Sequence, residues 1–152
     1  MTSWEFNLPV TLEFGVGKRK EIKSYIDSIG GKNGVLVCSH SFSKNGVADE
    51  FVKMSEGTLK AVFADIRPVA LGGGSPMDCC KAACAIAKGD DVIESYHSGG
   101  KPINAAEAIP MIAVATTSGT ASEVTNISVL TDLKQNLKNP MNDPAMYPKI
   151  AV

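Results

Sequence analysis

Val69-Ala70-Leu71-Gly72-Gly73-Gly74-Ser75-Pro76-Met77-Asp78 is the stretch whose reading decides the fold. A short apolar run leads into three glycines, and a helical pattern over Pro76 to Lys88 follows them. Glycines let a backbone approach a ligand closely, and a helix start leaves unpaired N–H groups pointing outward. Strand, glycine-rich turn and helix together therefore make an anion site, most often for phosphate. Ser75 suits the N-cap, Pro76 the first helical position and Asp78 the third, a Ser-x-x-Asp arrangement like a capping box. The better-known phosphate patterns fail: Gly-x-Gly-x-x-Gly needs glycine at Met77, and the Gly-x4-Gly-Lys-Ser/Thr loop is absent.

Working outward, Val10 to Phe14 alternates as an edge strand before Gly15-Val16-Gly17. Lys18 to Ile29 carries Ile22, Tyr25, Ile26 and Ile29 at the spacing of an amphipathic helix, closed by Gly30-Gly31. Gly34 to Cys38 is a continuous apolar run of the kind buried in parallel sheets. Ser43 or Asn45 can cap a helix that turns Val47, Phe51 and Met54 inward, and Leu59 to Phe63 reads as a strand before a turn at Asp65 to Pro68. Met111 to Ala115 is a further buried strand. Asn126 to Leu130 is expected to pair with the terminal Lys149 to Val152, around a polar hairpin or loop from Thr131 to Pro148. Strands alternating with helices indicate one α/β domain with a mainly parallel, Rossmann-like sheet. Ligands of such sheets sit beyond the carboxyl ends of the strands. Three polar turns fall there: Ser39-His40-Ser41, Gly72 to Ser75, and Thr116-Thr117-Ser118-Gly119-Thr120.

The 152 residues suffice for one domain with a real core, and 44% apolar with 20% charged residues is ordinary for a globular protein. A net charge of −1 gives no electrostatic footprint for nucleic acid or an acidic membrane. No apolar run reaches the ~18 residues of a membrane span, and the start lacks the plan of a signal peptide, so a cytoplasmic location is expected. Cys38, Cys79, Cys80 and Cys84 have no Cys-x-x-Cys spacing. Cys80 and Cys84 share a helix face, where core packing is the expected role, and neither His40 nor His97 completes a metal set. Thr120 followed by Glu123 suggests a second capping box.

The Gly-Gly-Gly-Ser-Pro-Met-Asp of 72–78 and the Thr-Thr-Ser-Gly-Thr-Ala-Ser-Glu-Val of 116–124 together resemble the iron-containing, group III alcohol dehydrogenases. Phe14-Gly15-Val16-Gly17, Thr131-Asp132, Lys138 and Tyr147-Pro148-Lys149 match in order as well. The resemblance implies an N-terminal nucleotide-binding domain, in a fold shared with dehydroquinate synthases, and hydride transfer between a primary alcohol or aldehyde and NAD or NADP. Carried over by residue, Gly73, Gly74 and Ser75 would hold the diphosphate and Asp78 would support their loop. Thr116, Thr117 and Thr120 would line the phosphate and nicotinamide-ribose side, and Lys138 would reach a ribose hydroxyl. Ser39 stands where many members have an aspartate; a carboxylate there repels a 2′-phosphate and serine does not, so NADP is permitted and NAD is not excluded.

The family's divalent metal, iron or zinc, is held by an aspartate and three histidines of a helical C-terminal domain, and the chain stops before them. Neither catalytic nor metal-ligating residues are therefore assigned. The chain alone is expected to be inactive, and the resemblance suggests a homo-oligomer. A truncated, non-catalytic nucleotide-binding or assembly module is the alternative. Arg67-Pro68 runs directly into Val69, omitting about one helix–strand unit of the family pattern. A parallel crossover needs at least ~10 residues, so either the local connection differs or residues are absent from this sequence.

Overall fold

The computed structural model describes residues 8–63, 70–97 and 99–152. Its main sheet has six strands, all parallel: β1 (Thr11–Leu12), β2 (Gly34–Cys38), β3 (Leu59–Phe63), β4 (Ala70–Gly72), β5 (Ile112–Ala115) and β8 (Ile150–Ala151). Their spatial order is β1-β8-β5-β4-β2-β3. A separate antiparallel ribbon joins β6 (Ile127–Asp132) to β7 (Leu137–Asn142).

Alternation along the strands builds two faces. Leu36, Cys38, Leu59, Leu71, Ile112, Val114 and Ile150 point one way, against α1 (Ile22–Ser28) and α3 (Val47–Met54), whose Ile22, Ile26 and Phe51 complete that core. Ala70 and Ala113 point the other way. Being small, they let α4 (Gly74–Ile86) lie close, with Met77, Cys80 and Cys84 against the sheet. The opposite side of α4 is also covered: Ala82 and Ala85 pack on Met141 of the ribbon and Met146 of a short turn. Complete burial of a side chain such as Met77 contributes about 1.5–3 kcal/mol.

Several expectations are corrected. The terminal strand does not pair with the 126–130 region; β8 enters the main sheet between β1 and β5. The partner of β6 is β7, inside the segment expected to be hairpin or loop. The region after β2 forms two short helices, α2 (His40–Lys44) and α3, and Asn45 Oδ1 accepts the Val47 N–H at 3.2 Å just before the second. α4 begins at Gly74 rather than Pro76, with Gly73 as its N-cap, and ends at Ile86. Ser75 and Pro76 thus lie inside the first turn, where the missing proline N–H has no intrahelical partner to lose. The turn expected at Asp65 to Pro68 and the Pro68–Val69 junction lie outside the described residues. Among the described residues, no helix is long and apolar enough to cross a membrane.

Candidate functional site

Strands β5, β4 and β2 are neighbours, with Gly72 opposite Ala115 and Leu71 opposite Cys38. All three run the same way, so the turns that follow them stand side by side: Thr116–Thr120, Gly72–Ser75 and Ser39–Ser41. Strand order also reverses here. From β2 the chain moves to β3 on one side, then to β4 on the other and onward to β5 and β8. A reversal of this kind opens a crevice at the carboxyl edge of a doubly wound sheet.

The first two turns interlock. Thr116 N–H donates to the Gly72 carbonyl at 3.0 Å. A Cβ at Gly73 would stand 3.0 Å from Thr117 Oγ1, and one at Gly74 would stand 3.1 Å from Thr120 Cγ2. Gly72 has φ +151°, and a Cβ there would meet Pro76 Cγ at 2.6 Å. These glycines are therefore needed to build the corner, whatever it binds. α4 starts with no side-chain cap, in place of the expected Ser75–Asp78 box. Its first-turn N–H groups and the positive end of its dipole face the crevice side, where an anion is favoured. Ser75, Thr116, Thr117 and Thr120 are exposed around this point.

Beyond Thr120 the chain makes a single tight turn over Ser122–Val124, entered through Ala121 in the left-handed region at φ 52°. Thr120 Oγ1 accepts Ser122 N–H at 3.4 Å. The expected Thr120–Glu123 capping box does not form, because a three-residue turn entered this way offers no α-helical first turn. Glu123 Oε2 is instead buried without a hydrogen-bond partner. Glu123 lines a cavity of about 560 Å³ with Thr116, Thr117, Ser118, Phe14 and Val152. An adjoining cavity of about 370 Å³ shares Glu13, Phe14, Thr116 and Val152. Both lie at the carboxyl ends of β1, β8 and β5, and their sizes suit a small-molecule ligand.

Asp78 is the hub behind the loops. Its Oδ1 accepts the Ser122 hydroxyl at 2.6 Å, its Oδ2 accepts Val129 N–H at 3.1 Å, and its carbonyl accepts the Ser128 hydroxyl at 2.7 Å. Sequence reading missed the residue one turn further on. Lys81 has a side chain with no exposed surface, and its Nζ donates to Ile127 O at 2.8 Å and Thr125 Oγ1 at 3.1 Å, with Asp78 Oδ1 at 3.8 Å. Burial lowers its pKa to about 8, against the charges of Asp78 and Glu123, which pull it upward. One signal was present: between Cys79 and Ile86 every residue but Lys81 is Ala, Cys or Ile. A helix apolar all round is buried all round.

Ser39 caps no N–H with its side chain, and its Oγ lies 2.9 Å from Ser41 Oγ at the tip of β2, one strand from the glycine corner. Lys138 is exposed on β7, opposite Thr131 of β6. Among the described residues no three His, Cys, Asp or Glu side chains converge as metal ligands. The residues present do not fit the family's metal, and no step is derived through one. Cys80 and Cys84 Sγ are 3.9 Å apart and buried on α4, as core packing requires.

A parallel sheet whose order reverses beneath an uncapped helix start defines the doubly wound α/β class. Residues 64–152 match the model of the iron-containing alcohol dehydrogenases, and the chain belongs to that family. It is 28% identical, over 97% of its length, to an NAD-dependent methanol dehydrogenase of Bacillus methanolicus, and it spans 44% of that protein. A phosphonoacetaldehyde reductase of Streptomyces viridochromogenes is 38% identical over 62% of this chain and 25% of its own. The structure of a sulfoacetaldehyde reductase from Bifidobacterium kashiwanohense in complex with NAD+ superposes with a TM-score of 0.91 at 35% identity. That match covers 99% of this chain and 46% of the other. The chain thus spans less than half the length of these relatives.

Proposed function

We propose that this chain binds a nicotinamide dinucleotide, NAD or NADP, as the cofactor part of a metal-dependent oxidoreductase acting on a small primary alcohol or aldehyde. One observation carries the reading: two glycine-and-hydroxyl turns interlock at a sheet reversal, above a helix start that no side chain caps. A diphosphate fits that corner. Gly73, Gly74 and Ser75 would offer backbone N–H groups to it, while Thr116, Thr117 and Thr120 would offer hydroxyls. Ser39, at the tip of the neighbouring strand, would meet the adenosine ribose, and Lys138 a ribose hydroxyl. Once bound, the nicotinamide supplies the hydride acceptor or donor. What these residues do is bind, orient and hold the two halves of the nucleotide apart across the sheet end.

Titration of the purified chain with NADH and with NADPH, read by nicotinamide fluorescence, tests the proposal. Saturable binding of at least one nucleotide is expected, with no alcohol-dependent reduction of NAD+ or NADP+ when Fe2+ or Zn2+ is added. Failure to bind either nucleotide at millimolar concentration would overturn it.

A further inference from the structure

The face of the sheet that α4 covers is filled with sulfur. Met77, Cys80 and Cys84 of the helix pack with Met111, which leads into β5, and the rest of that cluster is Ala70 and Ala113. The opposite face is filled mainly by Leu, Ile, Val and aromatic side chains and holds one cysteine, Cys38. Aliphatic side chains would exclude water from either face equally well, without a reactive thiol. Packing alone therefore leaves the choice of sulfur on one face unexplained.

Spacing gives the sulfurs a common use. Met77, Cys80 and Cys84 recur at i, i+3 and i+7, one stripe along α4. Ile109 N–H donates to the Cys84 carbonyl at 2.8 Å, which fastens the approach to Met111 beside the last of them. All four side chains are buried. Cys80 and Cys84 Sγ are 3.9 Å apart. Thiolate sulfurs stand ~2.3 Å from zinc, so two of them on one ion at a tetrahedral angle are about 3.8 Å apart. The pair is thus already spaced for a shared ion of that size.

We propose that Met77, Cys80, Cys84 and Met111 form a binding site for one soft monovalent metal ion of the Cu(I) class, held by the two thiolates and completed by thioether sulfur. Thiolate and thioether donors select Cu(I), and this set offers no imidazole or carboxylate to favour a harder ion. Binding exchanges protons for metal: one Cu(I) enters, each thiol loses a proton to solvent, and no electron is transferred. Two thiolates and one Cu(I) leave a net negative charge. The ammonium of Lys81, next in sequence, is attracted to charge on Cys80 and would offset it. The ion needs no void of its own, because it takes the place of the protons between the sulfurs. It enters through local opening of α4, so uptake should be slow. Once bound, it would fasten α4 to the approach to β5 and stabilise the fold.

The test titrates the purified, reduced chain with Cu(I) under anaerobic conditions against bicinchoninate, a coloured Cu(I) chelator. The wild-type chain should take one ion from the chelator, and its urea midpoint should rise with the metal bound. C80S and C84S should each weaken binding at least about a hundredfold, since a hydroxyl is a hard donor. M77L and M111L conserve volume, and at least one of them should weaken binding about tenfold. C79S should bind as wild type does, because Cys79 is half-buried and outside the cluster. Circular dichroism establishes that each variant is folded. Should the serine variants fail to fold, the copper X-ray absorption spectrum of the wild-type complex decides. A shell of sulfur alone, exceeding what the two thiolates supply, supports the site, and nitrogen or oxygen in the shell overturns it. A wild-type chain that takes no Cu(I) from the chelator overturns it too. So do folded C80S and C84S that hold Cu(I) as tightly as wild type, or M77L and M111L that both do so. None of these outcomes bears on the nucleotide-binding function.

Discussion

Gly72 concentrates the demands that the glycine corner makes on single residues. Its φ of +151° is one that side chains rarely adopt, and the space a Cβ would fill is already taken by the Pro76 ring at 2.6 Å. Proline is rigid, so the ring cannot move away without shifting the start of α4. Gly119 makes a useful control: its φ is +108°, but nothing lies within 4 Å of a Cβ built there. G72A should therefore be destabilised by both backbone strain and a steric clash, together about 2–4 kcal/mol. G119A should lose about 1 kcal/mol from strain alone. Urea denaturation of the two variants checks the difference, and equal losses would mean that Pro76 yields. At this scale the sequence was legible where a residue has one physical use. The glycines and Cys38 announced themselves. Asp78 read locally only as a cap, because a carboxylate near a helix start fits one, and its part as a support of the loop came from the resemblance alone. Here it instead binds the Ser122 hydroxyl and Val129 N–H, 44 and 51 residues away.

Among the elements, α4 is covered on two sides, with Cys79, Ala83 and Ile86 only half-buried. It is sandwiched between the sheet, through Ala70 and Ala113, and the ribbon, through Met141. Alanine and cysteine make that possible by keeping the separations small. Ala82 is 1% exposed and packs on the ribbon side, so A82L adds three carbons where no void receives them. The expected effect is a loss of about 1–3 kcal/mol, seen as a lower melting temperature, with faster amide exchange over residues 127–142 than over β4 and β5. Uniform acceleration across both sheets would refute this picture of a separable ribbon layer. β2, β3, β4 and β5 and the helices α1, α3 and α4 were readable because each carries its own apolar pattern. β7 was not: Leu-Lys-Asn-Pro-Met-Asn buries only Met141 fully and holds Pro140, which an edge of a two-stranded ribbon tolerates. The partner of β8 was unreadable for another reason. Two-residue strands carry no pattern of their own, and their place is set by long-range packing.

Across the whole molecule, the sheet reversal that forms the crevice also creates its tightest topological demand. Phe63 of β3 and Ala70 of β4 both pair with Val37, one on each side, so they stand about 10 Å apart with β2 between them. Both strands run in the same direction, and six positions, 64–69, separate them in sequence. Crossovers between parallel strands ordinarily take at least ~10 residues and bring a helix to cover the sheet. At β3, Lys60, Ala61 and Val62 are exposed, with Val62 retaining 39% of its surface. A longer crossover would have apolar surface there to bury. Inserting an amphipathic helix of about 20 residues, flanked by short glycine-containing loops, between Pro68 and Val69 should therefore raise stability rather than lower it. Urea denaturation would register this as a higher midpoint and a steeper slope, since more surface becomes buried on folding. An inserted helix that leaves both unchanged, or lowers the midpoint, would mean that the six-position link is already matched to this sheet and that the β3 face needs no further cover.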